Sequence, residues 1–141
     1  MKYQKWPKRD SIKNYFPVPN EVFLLGLAPG ELAVYSYLLF CEDRSTYQCW
    51  PSFKTIGKAT GMSTNTVRKY VRMLEDRGLI ATDPTSIITK VGQKRNGNLL
   101  FTIRPIQEAV EQFYQQRLEK VSSDIQRKKA SSTKVKQERP V

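Results

Sequence analysis

Residues 52–78, SFKTIGKATGMSTNTVRKYVRMLEDRG, hold two helical periods separated by a short turn, and the reading of this stretch decides the fold. Ser52 follows Pro51, and its hydroxyl can accept a hydrogen bond from one of the unpaired N–H groups at a helix start. A short helix is therefore predicted from there to about Thr60, with Phe53, Ile56 and Ala59 as its apolar positions and Gly57 where a second helix can come close. Gly61 supplies the backbone freedom that ends it. Ser63 caps the next helix, in which Val67, Tyr70, Val71 and Leu74 fall at i, i+3, i+4 and i+7 and form one buried stripe before Gly78 closes the element.

The opposite face of that second helix is polar and basic: Thr64, Asn65, Thr66, Arg68, Lys69 and Arg72. Amide and guanidinium groups make paired hydrogen bonds to purine edges, while hydroxyls and cations hold phosphates. Duplex DNA is thus the first partner the pattern implies. A helical hairpin in an all-α protein also presents a basic, merely solvated face, so the rest of the chain has to weigh in.

The chain has 141 residues, enough for one domain with a modest core, and its net charge of +11 exceeds what solubility requires. The distribution of charge is informative. Residues 51–77 carry six Lys or Arg against two acids, residues 78–104 four against one, and residues 31–50 are net acidic. The hairpin and the segment after it share one sign, as a polyanion-binding surface would. No apolar run approaches the ~20 residues of a membrane span, and the start, MKYQKWPKRD, has no apolar stretch of a signal peptide. A cytoplasmic protein without membrane contact is expected.

Two cysteines, Cys41 and Cys49, are too few for a disulfide scaffold and are expected to stay reduced. With no histidine in the chain, a tetrahedral zinc site cannot be completed from thiols and imidazoles, and the usual general base is missing. The acidic pairs Glu42–Asp43 and Glu75–Asp76 read as solvated helix ends, and no phosphate-cradling glycine loop is present. The expectation is a protein without metal, cofactor or enzymatic activity.

Along the chain, residues 1–27 form a basic, Pro-punctuated arm whose Tyr3, Trp6, Tyr15 and Phe16 are placed to dock on the body, with the first ten residues loose. Pro29 marks a helix start. The helix over about 30–42 carries Leu32, Val34, Tyr35, Tyr37, Leu38, Leu39 and Phe40 around most of its circumference, which predicts burial nearly all round. Gln48-Cys49-Trp50 reads as a small strand. After Gly78 the runs 79–82, 86–91 and 98–103 are β-rich, and a hairpin of the last two is predicted with Gly92–Gly97 as its cationic tip. Pro105 opens a further helix to about residue 125, with Ile106, Val110, Phe113, Leu118, Val121 and Ile125 as an apolar stripe of spacing nearer 3.6 than 3.5. That stripe suits either a dimer contact, the favoured reading, or completion of the core. Residues 126–141 are predicted to be a disordered basic tail.

The order helix, short strand, helical hairpin, basic β-hairpin resembles the winged helix-turn-helix superfamily over residues 28–104. The fold class is then mainly α with a small β-hairpin, a winged helix-turn-helix with an extra C-terminal helix. PSFKTIGKATGMSTNTVRKYVRMLEDRGLI is similar to the DNA-binding segment of GntR-like regulators and of phage and conjugative-element proteins. FPVPNEVFLLGLAPGELAVYSYLLF is similar to the N-terminal domain of RepA-type plasmid replication initiators. By this resemblance Thr64, Asn65, Thr66, Arg68, Lys69 and Arg72 enter the major groove. Lys90, Lys94, Arg95 and Asn96 belong to the wing, whose tip reaches the minor groove or backbone. Ser52, Lys54, Thr55 and Ser63 meet phosphates near helix starts. A GntR regulator carries a large effector domain after its reader. Residues 105–141 are too few for one, so no small-molecule effector is expected.

Three functions follow for testing. The first is a sequence-specific double-stranded-DNA-binding homodimer that regulates transcription on a mobile element. A plasmid or phage replication or partition factor would instead bind repeated origin sites. In a protein-protein module, the helix face would meet a partner chain rather than DNA.

Overall fold

In the computed structural model, which describes residues 15–138, a 3-10 turn (Asn20–Leu24) precedes α1 (Pro29–Cys41), β1 (Gln48–Cys49), α2 (Phe53–Thr60) and α3 (Thr64–Asp76). Strands β2 (Ile80–Asp83), β3 (Ser86–Ile88), β4 (Lys94–Asn96) and β5 (Leu100–Ile103) follow, and α4 (Ile106–Glu138) ends the described chain. The predicted looseness of residues 1–10, with Tyr3 and Trp6, lies outside the described residues.

One core unites these elements. Val34, Tyr35, Leu38 and Leu39 of α1 meet Ile56 of α2, Val67, Val71 and Leu74 of α3, and Ile80 and Phe101 of the sheet, all buried. Helix α1 is buried or half-buried nearly all round, as predicted, with only Pro29 and Phe40 of its residues exposed. Helices α2 and α3 and strand β5 cover its inner face, while Phe40 is exposed and lies 5.7 Å from the ring of Phe16. Gly30 allows α1 to sit directly on α3, because a Cβ there would lie 2.2 Å from the ring of Tyr70.

A buried ion pair anchors the two helices where they meet. Glu31, in the first turn of α1, is 0% exposed, and its carboxylate accepts from the N–H of Ala28 at 3.1 Å. Arg77, the C-cap of α3, donates Nε to Oε2 at 2.7 Å and Nη2 to Oε1 at 3.1 Å. Nη1 donates to the carbonyl of Leu25 at 2.9 Å and Nη2 also to that of Gly26 at 3.3 Å. A planar fork satisfies both carboxylate oxygens and two loop carbonyls at once, which an ammonium could not do. Gly78 sits beyond Arg77 at φ +79°, with Leu79 N–H on Leu74 O at 3.1 Å and Gly78 N–H on Glu75 O at 2.9 Å. These two bonds form a Schellman end that turns the chain into β2.

The sheet departs from the predicted pairing. Strand β5 is central, antiparallel to β1 (Cys49 opposite Phe101) and to β2 (Thr82 opposite Phe101), in the order β1-β5-β2. Strand β3 pairs instead with β4, Ile87 opposite Arg95, in a separate ribbon. The reason is burial: Phe101 is buried and draws β5 onto the body, whereas Ser86–Ile88 has no buried residue. Pro84, which has no N–H to give a ladder, falls between β2 and β3 and divides wing base from wing tip.

Helix α4 also differs from its prediction. It runs on through Glu138 where a disordered tail is expected from residue 126. Few apolar residues deny this segment a core, yet its Arg, Lys, Gln and Ala are good helix formers. Ile106 and Ala109 are buried and Val110 and Phe113 pack against the core, while Tyr114, Leu118, Val121 and Ile125 are exposed. The exposed set alone steps by four, three and four residues, a heptad spacing. The 3.6-like average arises from merging it with the residues that pack on the domain. The architecture is a winged helix-turn-helix with an added C-terminal helix.

Arg77→Ala should destabilise the domain by about 3 kcal/mol, since it strands the Glu31 carboxylate away from water. The double variant Glu31→Leu/Arg77→Met should recover to within about 1–2 kcal/mol of the parent. Urea denaturation midpoints read both, and a neutral Arg77→Ala would show that the pair is not an anchor.

Candidate nucleic-acid interface

Local chemistry sets the two helices of the hairpin. Ser52 accepts from Thr55 N–H at 3.1 Å and Ser63 from Thr66 N–H at 3.3 Å, so both serines act as predicted caps. Gly61 takes φ +73°, and its N–H and that of Met62 both reach the carbonyl of Gly57. Gly57 meets the turn more closely than the predicted second helix: a Cβ there would lie 2.4 Å from the carbonyl oxygen of Met62 and 3.7 Å from Cγ2 of Val67 in α3. The close approach is by the turn itself, which sets the angle between α2 and α3.

With Val67, Val71 and Leu74 inward, Thr64, Asn65, Arg68, Lys69 and Arg72 are all exposed. At ~100° per residue they span an arc of roughly 140°. Thr66 is half-buried, its hydroxyl 2.9 Å from that of Ser63, so it belongs to the cap more than to the open face. Ser52 is likewise half-buried, paired with Thr55 Oγ1 at 2.8 Å, while Lys54 and Thr55 are exposed beside it.

Among the described residues the ion pairs are Arg77–Glu31 and Arg104–Glu108, and neither takes a cation from this face. Asn65 and Arg72 have no side-chain hydrogen bond among the described residues. The Arg68 guanidinium lies over the ring of Phe53 at 5.6 Å, and the Lys69 ammonium over Tyr70 at 5.5 Å. Such contacts orient a cation while leaving its N–H groups open. Sequence reading assigns Phe53 and Tyr70 to the core alone. Nothing local could reveal the platform under Arg68, because Phe53 belongs to the preceding helix.

The wing places its cations differently from the predicted tip. Gly92 N–H reaches Thr89 O at 2.9 Å, Thr89 N–H reaches Gln93 O at 2.9 Å, and Gly92 takes φ +81°. This is a three-residue loop with a left-handed glycine, so the tip is Lys90-Val91-Gly92. Lys94, Arg95 and Asn96 are not in the turn but in β4. Strand alternation then sends Arg95 to one face of the ribbon and Lys94 with Asn96 to the other. All four wing residues named from sequence are exposed, as are Ile88 and Val91.

Cys49 is buried, with Sγ 3.8 Å from Leu38 O, and burial pushes its thiol pKa up to about 12. Both cysteines are free thiols. Among the described residues no group of three or more His, Cys, Asp or Glu is placed to hold a metal, and no helix is long and apolar enough to cross a membrane.

Residues 25–80 match the family described as a helix-turn-helix domain, a span that runs from the end of the 3-10 turn through α3 and stops at the wing. No curated protein matches the chain. Among solved structures the chain is similar to a possible transcriptional regulator from Methanosarcina mazei Go1, with TM-score 0.49 and 16% identity over 73% of this chain and 80% of that one. It is also similar to Bordetella bronchiseptica BpsR, whose DNA binding is regulated by 6-hydroxynicotinic acid, with TM-score 0.36 and 22% identity over 76% of each chain.

Gly57→Ala should destabilise the domain, against the ~1 kcal/mol gain that replacing a helical glycine normally brings, because a backbone carbonyl must move to admit the methyl. A raised urea midpoint would refute the tight turn. For Cys49, alkylation of the folded protein by iodoacetamide at pH 8 should be far slower than in urea. Its rate should climb with pH towards 12, since a raised pKa keeps the thiol protonated.

Proposed function

We propose that the protein binds double-stranded DNA sequence-specifically, as a small homodimeric transcriptional regulator of a mobile element. One observation carries the reading: α3 presents Asn65, Arg68 and Arg72 to solvent on one face, free of internal ion pairs among the described residues, within a helix-turn-helix domain. Asn65 and Arg68 supply paired hydrogen bonds to base edges, with Arg72 and Lys69 farther along the groove. Thr64 and Ser63 sit at the helix start, where N–H groups and the positive dipole end favour phosphate. Lys54 and Thr55 of α2 take the neighbouring phosphate, and the wing follows the backbone or minor groove with Lys90 and with either Lys94 or Arg95, not both.

The dimer is supported by α4. Its exposed Tyr114, Leu118, Val121 and Ile125 form a heptad-spaced strip on a helix about 50 Å long. A second copy is the partner that such a repeat fits, and pairing would set two recognition helices about one DNA turn, ~34 Å, apart. A palindromic site over a promoter would mark a regulator, whereas closely spaced repeats at an origin would mark a replication factor.

Binding to a selected duplex should weaken steeply with salt, with a log-log slope near −5 for about six phosphate contacts. Arg68→Ala should cost about 1–3 kcal/mol and relax discrimination at its contacted base pair. Lys90→Ala should weaken all duplexes evenly. Fluorescence titration reads these effects, and an absence of preference among duplexes after selection contradicts the reading. Leu118→Asp should convert the dimer to monomer in sedimentation equilibrium, and an unchanged mass would remove α4 from the interface.

A further inference from the structure

Between the chain before the 3-10 turn, the end of α1 and the β5–α4 junction lies a cleft of about 480 Å³, within the range of small-molecule sites. Its walls are largely apolar: Pro17 to Pro19 on one side, Leu39 on another, and Ile103, Pro105 and Ile106 on the third. The polar groups are few. Tyr35 projects from α1 and Glu42 from its C-cap, Tyr47 lies on the loop that follows, and Arg104 stands at the junction, already held by Glu108 at 2.8 Å.

Glu42 is the anomaly. Its Oε2 is shielded from solvent and has no hydrogen-bond partner, the one such side-chain atom among the described residues. Buried acceptors are nearly always satisfied, so an orphaned carboxylate oxygen lining an apolar cleft marks a place for a donor. Burial raises the Glu42 carboxyl above the usual carboxylate range. It also pushes the Tyr35 hydroxyl to about 12, with the Glu42 charge adding to the rise, so the tyrosine stays protonated. A cation entering the cleft would meet the orphaned oxygen, with the Arg44 charge nearby offsetting part of the Glu42 charge, whereas an anion would meet Glu42 in a cleft whose lining guanidinium, Arg104, is already engaged by Glu108.

We propose that this cleft binds a small hydrophobic amine, an aromatic or branched body against the prolines and Leu39 with its ammonium on Glu42. No lining residue belongs to α2, α3 or the β3–β4 ribbon, so the ligand does not compete for the nucleic-acid face. It touches Arg104, Pro105 and Ile106, the joint from which α4 leaves the domain. Occupancy would thereby bias the direction of α4, and with it the spacing of two recognition helices, a consequence that rests on the dimeric DNA-binding reading. No separate effector domain is needed, because this cleft lies within the reader itself.

The test uses the full chain without DNA, so its outcome is independent of the DNA-binding reading. Isothermal titration with tryptamine and phenethylamine should show saturable binding of one amine per chain with Kd well below about 1 mM, about −4 kcal/mol. The carboxylates of matched shape, indole-3-propionate and 3-phenylpropionate, should not bind. Glu42→Gln should weaken amine binding at least tenfold, and Val18→Trp, which fills the cleft from its outer wall, should abolish it with the circular dichroism of the fold unchanged. The proposal is overturned if neither amine binds, if the carboxylates bind as well, or if Glu42→Gln binds the amines as tightly as the parent.

Discussion

The Glu31–Arg77 pair is the constraint on which the remaining geometry depends. It joins the first turn of α1, the last residue of α3 and the carbonyls of Leu25 and Gly26 through one guanidinium. An ion pair largely removed from water contributes little net stability, because desolvation offsets the attraction, but its four directional hydrogen bonds hold one arrangement of the three segments. That arrangement fixes where α3 ends relative to the start of α1. The Gly30–Tyr70 contact fixes how closely the two helices lie, and the Gly57–Met62 contact fixes the turn into α3. Three restraints thus fix the orientation of the outward face of α3.

That rigidity matters for reading bases. Paired hydrogen bonds to a base edge require the amide and guanidinium groups to arrive in register, and a helix free to roll would dissipate the discrimination in ordering cost. Phe53 and Tyr70 extend the same logic to the side chains, since a cation resting on a ring has fewer rotamers to lose. The wing is different. Its ribbon has no buried residue and is divided from the central sheet at Pro84, so it is suited to following a backbone rather than to reading it.

The two hairpin helices were legible in the sequence because their signals are local. Ser52, Gly61, Ser63 and Gly78 each act within a turn of their own position, and the stripe Val67, Val71, Leu74 declares its face by spacing alone. What was not legible depends on distant partners. Nothing near Glu31 announces Arg77, 46 residues away, and the strand 100–103 shows no mark that it pairs with β1 and β2 rather than with Ser86–Ile88. The wing cations divide between tip and strand in a way composition does not show, since the position of Gly92 in the loop decides which residues form the tip. Helix α4 outruns its sequence signal because a lack of apolar residues does not by itself mean a lack of structure. Propensity can hold a helix that no core supports. The orphaned oxygen of Glu42 had no sequence signature at all, because an acid after a helix reads as solvated until the surrounding walls are seen.

The central claim is that the outward face of α3 lies in the major groove. Guanine N7 methylation interference on a duplex selected by the protein from a random pool tests it most directly, because N7 is exposed only in that groove. The account predicts two blocks of interference about one helical turn apart, each weakened when Arg68 is replaced by Ala. No interference at any guanine of a guanine-containing site would contradict it.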